Sequence, residues 1–312
     1  MRIVIVGQGA IGLLWYSKLS QQKDNNISLR CSTRVKIFPK QVAFSDINTI
    51  EHKFILNEAN NDLLRQAELV IFCVKAFDVC NAVNDIVTQL PLNVPLILCH
   101  NGMINLAKID EKAKENHPFL SLLTTHGAKK EAAFHVRHTG NGDCVLGLTW
   151  PNNTSKNDHN QLPETQRLTI MNQLKIALNN VNWCQNIKHK QWVKLMVNCV
   201  INPLTAIENI DNGNILSPRF DHKINAIIEE LIEVARKEHL LFNAADVKQQ
   251  ILHIARLTAN NSSSMRCDLL AKRKGEIDQI NGYVAVLGIK HGVDTPMNLS
   301  LCQQIKNLEN NF

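Results

Sequence analysis

The sequence predicts an α/β protein in which a domain built on a parallel sheet is followed by an all-helical C-terminal domain. The first half alternates short apolar runs with amphipathic stretches, whereas the second half carries long patterns of 3.6-residue period. A length of 312 residues suits two domains of ordinary size. We place the boundary so that the two domains cover residues 1–186 and 187–312.

The N-terminal half contains apolar runs that are typical of strands buried on both faces of a parallel sheet. The four predicted core strands are Arg2–Val6, Ile27–Cys31, Leu69–Val74 and Leu96–Cys99. Helical patterns at Ala10–Ser20 and Val79–Gln89 fall between them, which indicates βαβ units. We expect further strands over Phe119–Thr124 and Cys144–Leu148, the second one antiparallel at an edge of the sheet.

The strand pattern fades after a polar stretch, Pro151–Pro163, which is predicted to be a loop. Residues 162–187 are expected to complete the first domain with a helix and a short strand. The helices predicted for the second domain are Gln191–Ala206, Phe220–Leu241, Ala244–Asn260 and Glu276–His291.

Composition argues against several classes of protein. The net charge of +6 comes from scattered Lys and Arg, so we expect no nucleic-acid partner, and no apolar stretch is long enough to predict a membrane span. The nine Cys show no CxxC pair and the histidines show no metal spacing. We therefore expect free thiols, a cytoplasmic location and no metal site. The oligomeric state stays open, with a homodimer as one option.

A glycine-rich motif, GQGAIG at residues 7–12, directly follows the first predicted strand and opens the first predicted helix. In that context the glycines allow a tight turn, a close approach of the backbone to a pyrophosphate, and close packing of helix on strand. The sequence therefore predicts a Rossmann-type dinucleotide-binding domain. The residues assigned to the pyrophosphate site are Gly7, Gln8, Gly9, Ala10, Ile11 and Gly12.

The end of the second strand indicates which nicotinamide cofactor is bound. An NAD site would place an acidic residue there to hold the ribose 2′-hydroxyl, but none occurs between Ile27 and Ala43. Arg30 and Arg34 lie there instead and are suited to a 2′-phosphate. This favours NADPH; we prefer Arg34 as the phosphate ligand, with Arg30 as the alternative.

Two more predicted strands end in polar residues. Lys75 follows the strand at Leu69–Val74, and Asn101 follows the strand at Leu96–Cys99. Ligands of open α/β sheets bind at the carboxyl ends of the strands, so both residues are candidates for contact with cofactor or substrate.

The predicted helix at Gln191–Ala206 is apolar almost all round, yet it carries Lys194, Asn198 and Asn202. Spacings of four residues place this cation and the two amides in one stripe on one face. A buried lysine is costly unless it is paired, so we interpret the stripe as facing a polar ligand. The alternative is a partly exposed lysine with two solvated asparagines.

The pattern gives ordinary structural explanations for two later residues. Ser264 lies in a serine cluster before a helical turn, which is typical of a helix cap, and Glu276 opens a helical pattern as a dipole partner would.

In six ordered motifs the chain resembles the ketopantoate reductase (2-dehydropantoate 2-reductase) family. They are GQGAIG, VKAF, HNGM, KLMVNCVINPLTA, NSSSM and EIDQING, and they span nearly the full length. The resemblance implies a Rossmann-type domain joined to a helical domain and the NADPH-dependent reduction of a 2-keto acid. The member enzymes convert ketopantoate to pantoate.

The resemblance also implies roles for individual residues. Lys194 matches the proton donor to the developing alkoxide, and Glu276 matches the acidic residue that supports the lysine or the substrate. Residues matching positions that bind substrate are Asn101, Asn198, Asn202 and Ser264. Lys75 matches a residue beside the cofactor, and we assign Asn101 and Glu276 to the cofactor site as well.

Two other classes of protein share parts of this pattern. The β-hydroxyacid and 6-phosphogluconate dehydrogenases resemble this chain in domain order and in a Lys-x-x-x-Asn helix, but they carry a glycine-rich approach to the lysine that residues 186–193 lack. A non-catalytic NADP(H) sensor should have lost Lys194 or its polar stripe, and this chain keeps both.

Overall fold

The computed structural model describes residues 1–32, 35, 37–149 and 162–312. The chain forms two compact units, of which the first comprises residues 1–100 and 105–187. The second comprises residues 101–104 and 188–312. The short segment Asn101–Ile104 therefore belongs to the second unit although it interrupts the sequence of the first. Our predicted loop at Pro151–Pro163 lies almost entirely outside the described residues.

The first unit is built on a seven-stranded sheet. Its strands are β1 (Arg2–Val6), β2 (Asn26–Arg30), β5 (Leu69–Phe72), β6 (Leu96–Leu98), β7 (Phe119–Thr124), β10 (Cys144–Leu148) and β11 (Val181–Trp183). They lie in the order β11-β10-β7-β6-β5-β1-β2, and the five strands from β2 to β7 are parallel. The predicted parallel sheet is confirmed. Strand β10 is antiparallel to β7, as expected for Cys144–Leu148. Its expected edge position is wrong, because β11 pairs with the other side of β10.

A second, four-stranded sheet in the first unit was not predicted. Its strands are β3 (Gln41–Ser45), β4 (Glu51–Ile55), β8 (Gly127–Ala132) and β9 (His135–Gly140), in the order β4-β3-β9-β8. Only the β3–β9 pair is parallel. The outer strand β8 carries exposed Lys129 and Lys130, and such charges protect a sheet edge from pairing with another chain.

Helix α1 lies in the hydrophobic core of the first unit. The helices of this unit are α1 (Ala10–Ser20), α2 (Asn61–Leu64), α3 (Ala76–Ile86), α4 (Glu111–Asn116) and α5 (Glu164–Ala177). Trp15 and Tyr16 are fully buried in α1, and the Tyr16 hydroxyl donates to the carbonyl of Ile55 at 2.8 Å. This contact ties α1 to the end of β4.

The second unit is helical, as predicted. Its helices are α6 (Ile187–Glu208), α7 (Asp221–Lys237), α8 (Ala244–Leu257), α9 (Ser264–Leu270), α10 (Asn281–His291) and α11 (Pro296–Glu309). The helix predicted from Glu276 begins only at Asn281, because a 3₁₀ turn at Ile277–Gln279 and the backbone of Ile280 (φ −107°, ψ −95°) interrupt it. Helix α11 was not predicted. None of the described helices is long and apolar enough to cross a membrane.

Candidate functional site

The glycine-rich motif forms the turn between β1 and α1, next to β5. The chain leaves β1 toward β2 on one side while β5 lies on the other side of β1, so the motif sits where the strand order reverses. Gly7 has a φ of 110°, and a Cβ there would lie 2.7 Å from the carbonyl oxygen of Cys73. A Cβ at Gly12 would overlap the carbonyl oxygen of Gly7. The fold itself therefore requires glycine at both positions.

Gly9 differs from the other two glycines because the protein leaves space around it. A Cβ at Gly9 would meet only the Cys73 carbonyl oxygen, at 3.7 Å, which is an ordinary contact. Gly9 is the N-cap of α1, and neither a side-chain cap nor an acidic residue occupies the first turn of Ala10 and Ile11. The N–H groups of this helix start, with their partial positive charge, suit a pyrophosphate.

The end of β2 lies beside the glycine-rich turn. The side-chain oxygen of Gln8 accepts a hydrogen bond of 3.0 Å from the backbone N–H of Ser32. Arg30 donates through Nη1 to the carbonyl of Ala59 at 3.0 Å. One end of this guanidinium thus holds the protein backbone. Arg34, our preferred ligand for the 2′-phosphate, lies outside the described residues.

The charges around Cys31 show which cations lie near this strand end. Burial, with a smaller effect of Glu58, raises the pKa of the Cys31 thiol to about 11, whereas Lys130 and Arg30 act to lower it. Lys130 on β8 is therefore a second cation whose charge acts at the end of β2, and nothing in the sequence pattern indicated it.

Lys75 is the N-cap of α3, directly beyond β5, and its side chain is half-buried. It therefore lies beyond the carboxyl end of a central parallel strand, the edge at which ligands of open α/β sheets bind.

Asn101 and Glu276 are brought together in the second unit. The Asn101 Nδ2 donates to Oε2 of Glu276 at 3.4 Å, and Glu276 is only 4% exposed. The backbone around Asn101 is held as well, since the N–H of Met103 donates to the carbonyl of Gln279 at 2.8 Å. Gly102 has a φ of 68°, and a Cβ there would overlap the Gln279 carbonyl. The structure therefore fixes an amide and a carboxylate side by side.

Helix α6 carries the predicted polar stripe. Lys194 and Asn198 are half-buried and Asn202 is 7% exposed, so the stripe becomes more buried toward the end of the helix. Trp192 and Cys199, on the same helix, are fully buried in the apolar core of the unit. An ammonium and two amides on one face can together bind an oxygen-rich anion and supply a proton.

The serine cluster meets the end of α6. Ser263, not Ser264, is the N-cap of α9: its Oγ accepts from the backbone N–H of Arg266 at 3.2 Å. The same Oγ lies 2.7 Å from the Oγ1 of Thr205 on α6. Ser264 is exposed in the first turn of α9, so its hydroxyl does not serve as the helix cap.

One buried amide that the sequence analysis missed lies near this cluster. Asn212 is 8% exposed, and its Nδ2 donates to Thr258 Oγ1 at 3.1 Å. Its Oδ1 has no hydrogen-bond partner among the described residues. Asn212 lies in a 3₁₀ turn, Asn212–Leu216, where no helical or strand periodicity marks a buried polar residue.

Comparison with known proteins decides the family. Residues 3–150 match the family described as "Ketopantoate reductase PanE/ApbA", and residues 186–309 match its C-terminal counterpart. The 2-dehydropantoate 2-reductase of Vibrio cholerae serotype O1 is 33% identical over 314 residues, covering 100% of this chain and 99% of that protein. The chain belongs to the ketopantoate reductase family. The predicted family and the predicted enzyme class, an oxidoreductase, are both confirmed.

Further relatives agree with this assignment. The 2-dehydropantoate 2-reductase of Shigella flexneri is 33% identical over 317 residues, covering 100% of this chain and 96% of that protein. Among solved structures, the ketopantoate reductase family protein from Ralstonia eutropha JMP134 has a TM-score of 0.82 at 22% identity, covering 100% of this chain and 99% of that one. D-mandelate dehydrogenase bound to NADH and anilino(oxo)acetate has a TM-score of 0.86 at 22% identity, with the same coverage. These likenesses confirm the fold.

Proposed function

We propose that this chain reduces 2-dehydropantoate (ketopantoate) to pantoate with NADPH and takes the proton from Lys194. The observation that carries the proposal is the stripe of Lys194, Asn198 and Asn202 on one face of α6. The chain is similar over its full length to curated 2-dehydropantoate 2-reductases. This similarity supports a 2-keto acid as the ligand of the stripe.

We assign cofactor binding to the domain at residues 1–186. The open backbone at Gly9 and the helix start at Ala10 and Ile11 fit a pyrophosphate. Gln8 holds the end of β2 against this turn, where Lys130 and Arg30 contribute positive charge and Arg34 is the proposed 2′-phosphate ligand. When bound, NADPH supplies a hydride to the substrate carbonyl carbon. Lys75 is proposed to contact the cofactor from the start of α3.

We assign substrate binding and proton transfer to the domain at residues 187–312, with Asn101 added from the segment Asn101–Ile104. Negative charge develops on the carbonyl oxygen as the carbon is reduced, and an ammonium group at Lys194 both stabilises this charge and donates the proton. Asn198 and Asn202 offer amide donors along the same face, and Ser264 offers an exposed hydroxyl.

The Asn101–Glu276 pair gives the proposed site a buried carboxylate. Oε2 of Glu276 accepts from Asn101, which helps to hold the carboxylate in position, and a carboxylate can accept from a second donor as well. We propose that this second donor is a hydroxyl of the substrate or the Lys194 ammonium group. We also propose that Asn101 and Glu276 lie beside the bound cofactor.

We also propose a cellular location and an oligomeric state. All nine cysteines are free thiols, which favours a cytoplasmic location. A relative from Staphylococcus aureus is described as a dimeric ketopantoate reductase, which supports the homodimer option. Light scattering on the purified chain tests whether it forms a homodimer.

The substrate assignment is tested by following NADPH consumption with a panel of 2-keto acids that includes ketopantoate and its analogues. A site with several hydrogen-bonding groups should lose more kcat/KM when the substrate hydroxyl is deleted than when one methyl is deleted. The reverse order would point to an apolar pocket and to a different 2-keto acid as the substrate.

A further inference from the structure

Helix α6 contains a proline, Pro203, one position beyond Asn202 in the polar stripe. Proline has no N–H, so it cannot donate to the carbonyl four residues earlier, which is that of Cys199. Cys199 is fully buried, so water is not at hand to replace the missing donor. A buried carbonyl without a donor is costly and needs a partner from elsewhere in the fold.

The side chain of Asn281 supplies that partner. Its Nδ2 donates to the Cys199 carbonyl at 2.9 Å, and Asn281 is the first residue of α10 and is fully buried. The amide of a neighbouring helix thus takes the place of the N–H that Pro203 lacks. The hydrogen bond that is missing within α6 is thus replaced by one between α10 and α6.

The orientation of the Asn281 amide is set by a second residue. Its Nδ2 also donates to Oδ1 of Asn298 on α11 at 2.9 Å, so both amide hydrogens are directed at acceptors. Asn298 is itself fully buried. A flipped Asn281 would place an oxygen against both the Cys199 carbonyl and the Asn298 oxygen, so the arrangement permits one orientation only.

A carboxylate on α7 completes the chain of contacts. Oε2 of Glu230 accepts from the Asn298 Nδ2 at 2.7 Å and from the Asn298 backbone N–H at 3.0 Å, while Oε1 accepts from the N–H of Met297 at 2.7 Å. Glu230 therefore caps the start of α11, where a negative charge is favourable. Hydrogen bonds run without interruption from α7 through α11 and α10 to the backbone of α6.

We propose that Asn281, oriented by Asn298 and Glu230, is a positioning residue that sets the path of α6 between Asn198 and Asn202. Cys199 directly follows Asn198, so the contact holds the turn in which the polar stripe lies. The inference rests on the proposed role of the Lys194 stripe in binding and reducing the 2-keto acid. It assigns to Asn281 no contact with substrate or cofactor.

The test is Asn281→Ala, measured for kcat and KM with the 2-keto acid and for NADPH affinity by fluorescence. A displaced stripe should lower kcat/KM for the keto acid by roughly 10- to 100-fold, as small misplacements of reacting groups do, with NADPH affinity nearly unchanged. Adding Pro203→Ala to this variant restores a backbone N–H that can donate to the Cys199 carbonyl. The double variant should therefore recover most of the loss.

Ile251→Ala is the matched control, because it opens a cavity at a fully buried position in α8 of the same unit. It should lower the Tm without changing kcat/KM, as any purely structural loss would. If Asn281→Ala does not fold, Asn298→Ala takes its place: it removes the acceptor that orients Asn281, and a smaller loss in kcat/KM is expected.

Lys194→Ala, assayed in parallel, separates the two hypotheses. A Lys194→Ala enzyme with nearly normal kcat would overturn the proposed function and this inference with it. A slow Lys194→Ala enzyme beside an Asn281→Ala enzyme within about twofold of wild-type kcat/KM would overturn the positioning role alone. The positioning role would also be overturned if adding Pro203→Ala to Asn281→Ala restored no activity.

Discussion

The Nδ2 of Asn101 lies 3.4 Å from Oε2 of Glu276, although 175 positions separate the two residues in the sequence. The contact joins two segments of the second unit, to which Asn101–Ile104 belongs. It also places an amide beside the buried carboxylate that we assign to substrate support. If the pair acts as one group, its two members should not contribute independently.

The Asn101–Glu276 pair is tested with Asn101→Ala, Glu276→Gln and the double variant. Each single change should raise KM for the keto acid, and the double variant should lose less than the sum of the two single losses in free energy. The measurement is a double-mutant cycle on kcat/KM. Strictly additive losses would mean that the contact has no part in substrate binding.

The glycine-rich turn provides a matched pair of variants. Gly9→Ala adds a methyl where the protein has space, so the Tm should stay near that of the wild type while NADPH affinity falls, since the methyl occupies the approach of the pyrophosphate. The added methyl of Gly12→Ala would overlap the Gly7 carbonyl oxygen, so this variant should lower both the Tm and the NADPH affinity. Thermal unfolding and fluorescence titration separate the two effects. A Gly9→Ala protein with normal NADPH affinity would contradict the proposed cofactor site.

Cofactor preference is tested at the two arginines. A charge-assisted hydrogen bond contributes about 1.5–3 kcal/mol, so Arg34→Ala should weaken NADPH binding by roughly tenfold to 150-fold and leave NADH nearly unaffected. Arg30→Ala removes the contact with the Ala59 carbonyl and should lower the Tm instead. If Arg30→Ala alone produced the loss specific to NADPH, the assignment of the two arginines would be reversed.

The stability of the first unit should depend on pH through two buried histidines. His126 Nδ1 lies 3.1 Å from His138 Nε2, and Lys18 is close by. Burial, then the charges of His126 and Lys18, lower the pKa of His138 from 6.5 to about 4, against smaller opposing effects of the backbone hydrogen bond with Gly140 and of Asp46. Burial also lowers the pKa of His126.

The sign of the pH effect follows from these directions. A group whose folded-state pKa is depressed contributes stability above its unfolded pKa, near 6.5, and loses it as pH falls toward the folded value near 4. The Tm of the wild type should therefore fall between pH 7 and pH 5, and His138→Gln should flatten this dependence. His253→Gln, at an exposed site in α8, is the control. An unchanged slope in His138→Gln would contradict the assignment.

The parts of the fold that could be predicted are those in which local pattern and burial agree. Strands β1, β5 and β6 are buried runs, and the glycines between β1 and α1 mark the turn directly. The stripe on α6 was predictable because helical spacing alone decides which side chains share a face.

The second sheet could not be predicted, because two of its strands show no clear apolar pattern and the other two pair across a long separation in the sequence. Strand β8, GAKKEA, is mostly exposed, and β4 alternates between exposed and half-buried positions. Strand β3 pairs with β9, about 90 residues away in the sequence, and no local signal specifies that partner. The contacts of Asn101 with Glu276 and of Asn281 with Cys199 were hidden for the same reason, since tertiary packing brings together distant segments.

The central claim is that Lys194 donates the proton, and the most direct test is the turnover of Lys194→Ala. We expect kcat to fall by about 10² to 10⁴, the usual contribution of a positioned general acid, while NADPH affinity stays nearly intact. Lys194→Arg is the matched variant, because it keeps the charge but gives up a proton poorly, and it should stay slow. A Lys194→Ala enzyme within about threefold of wild-type kcat would show that the proton comes from another group and would contradict the mechanism.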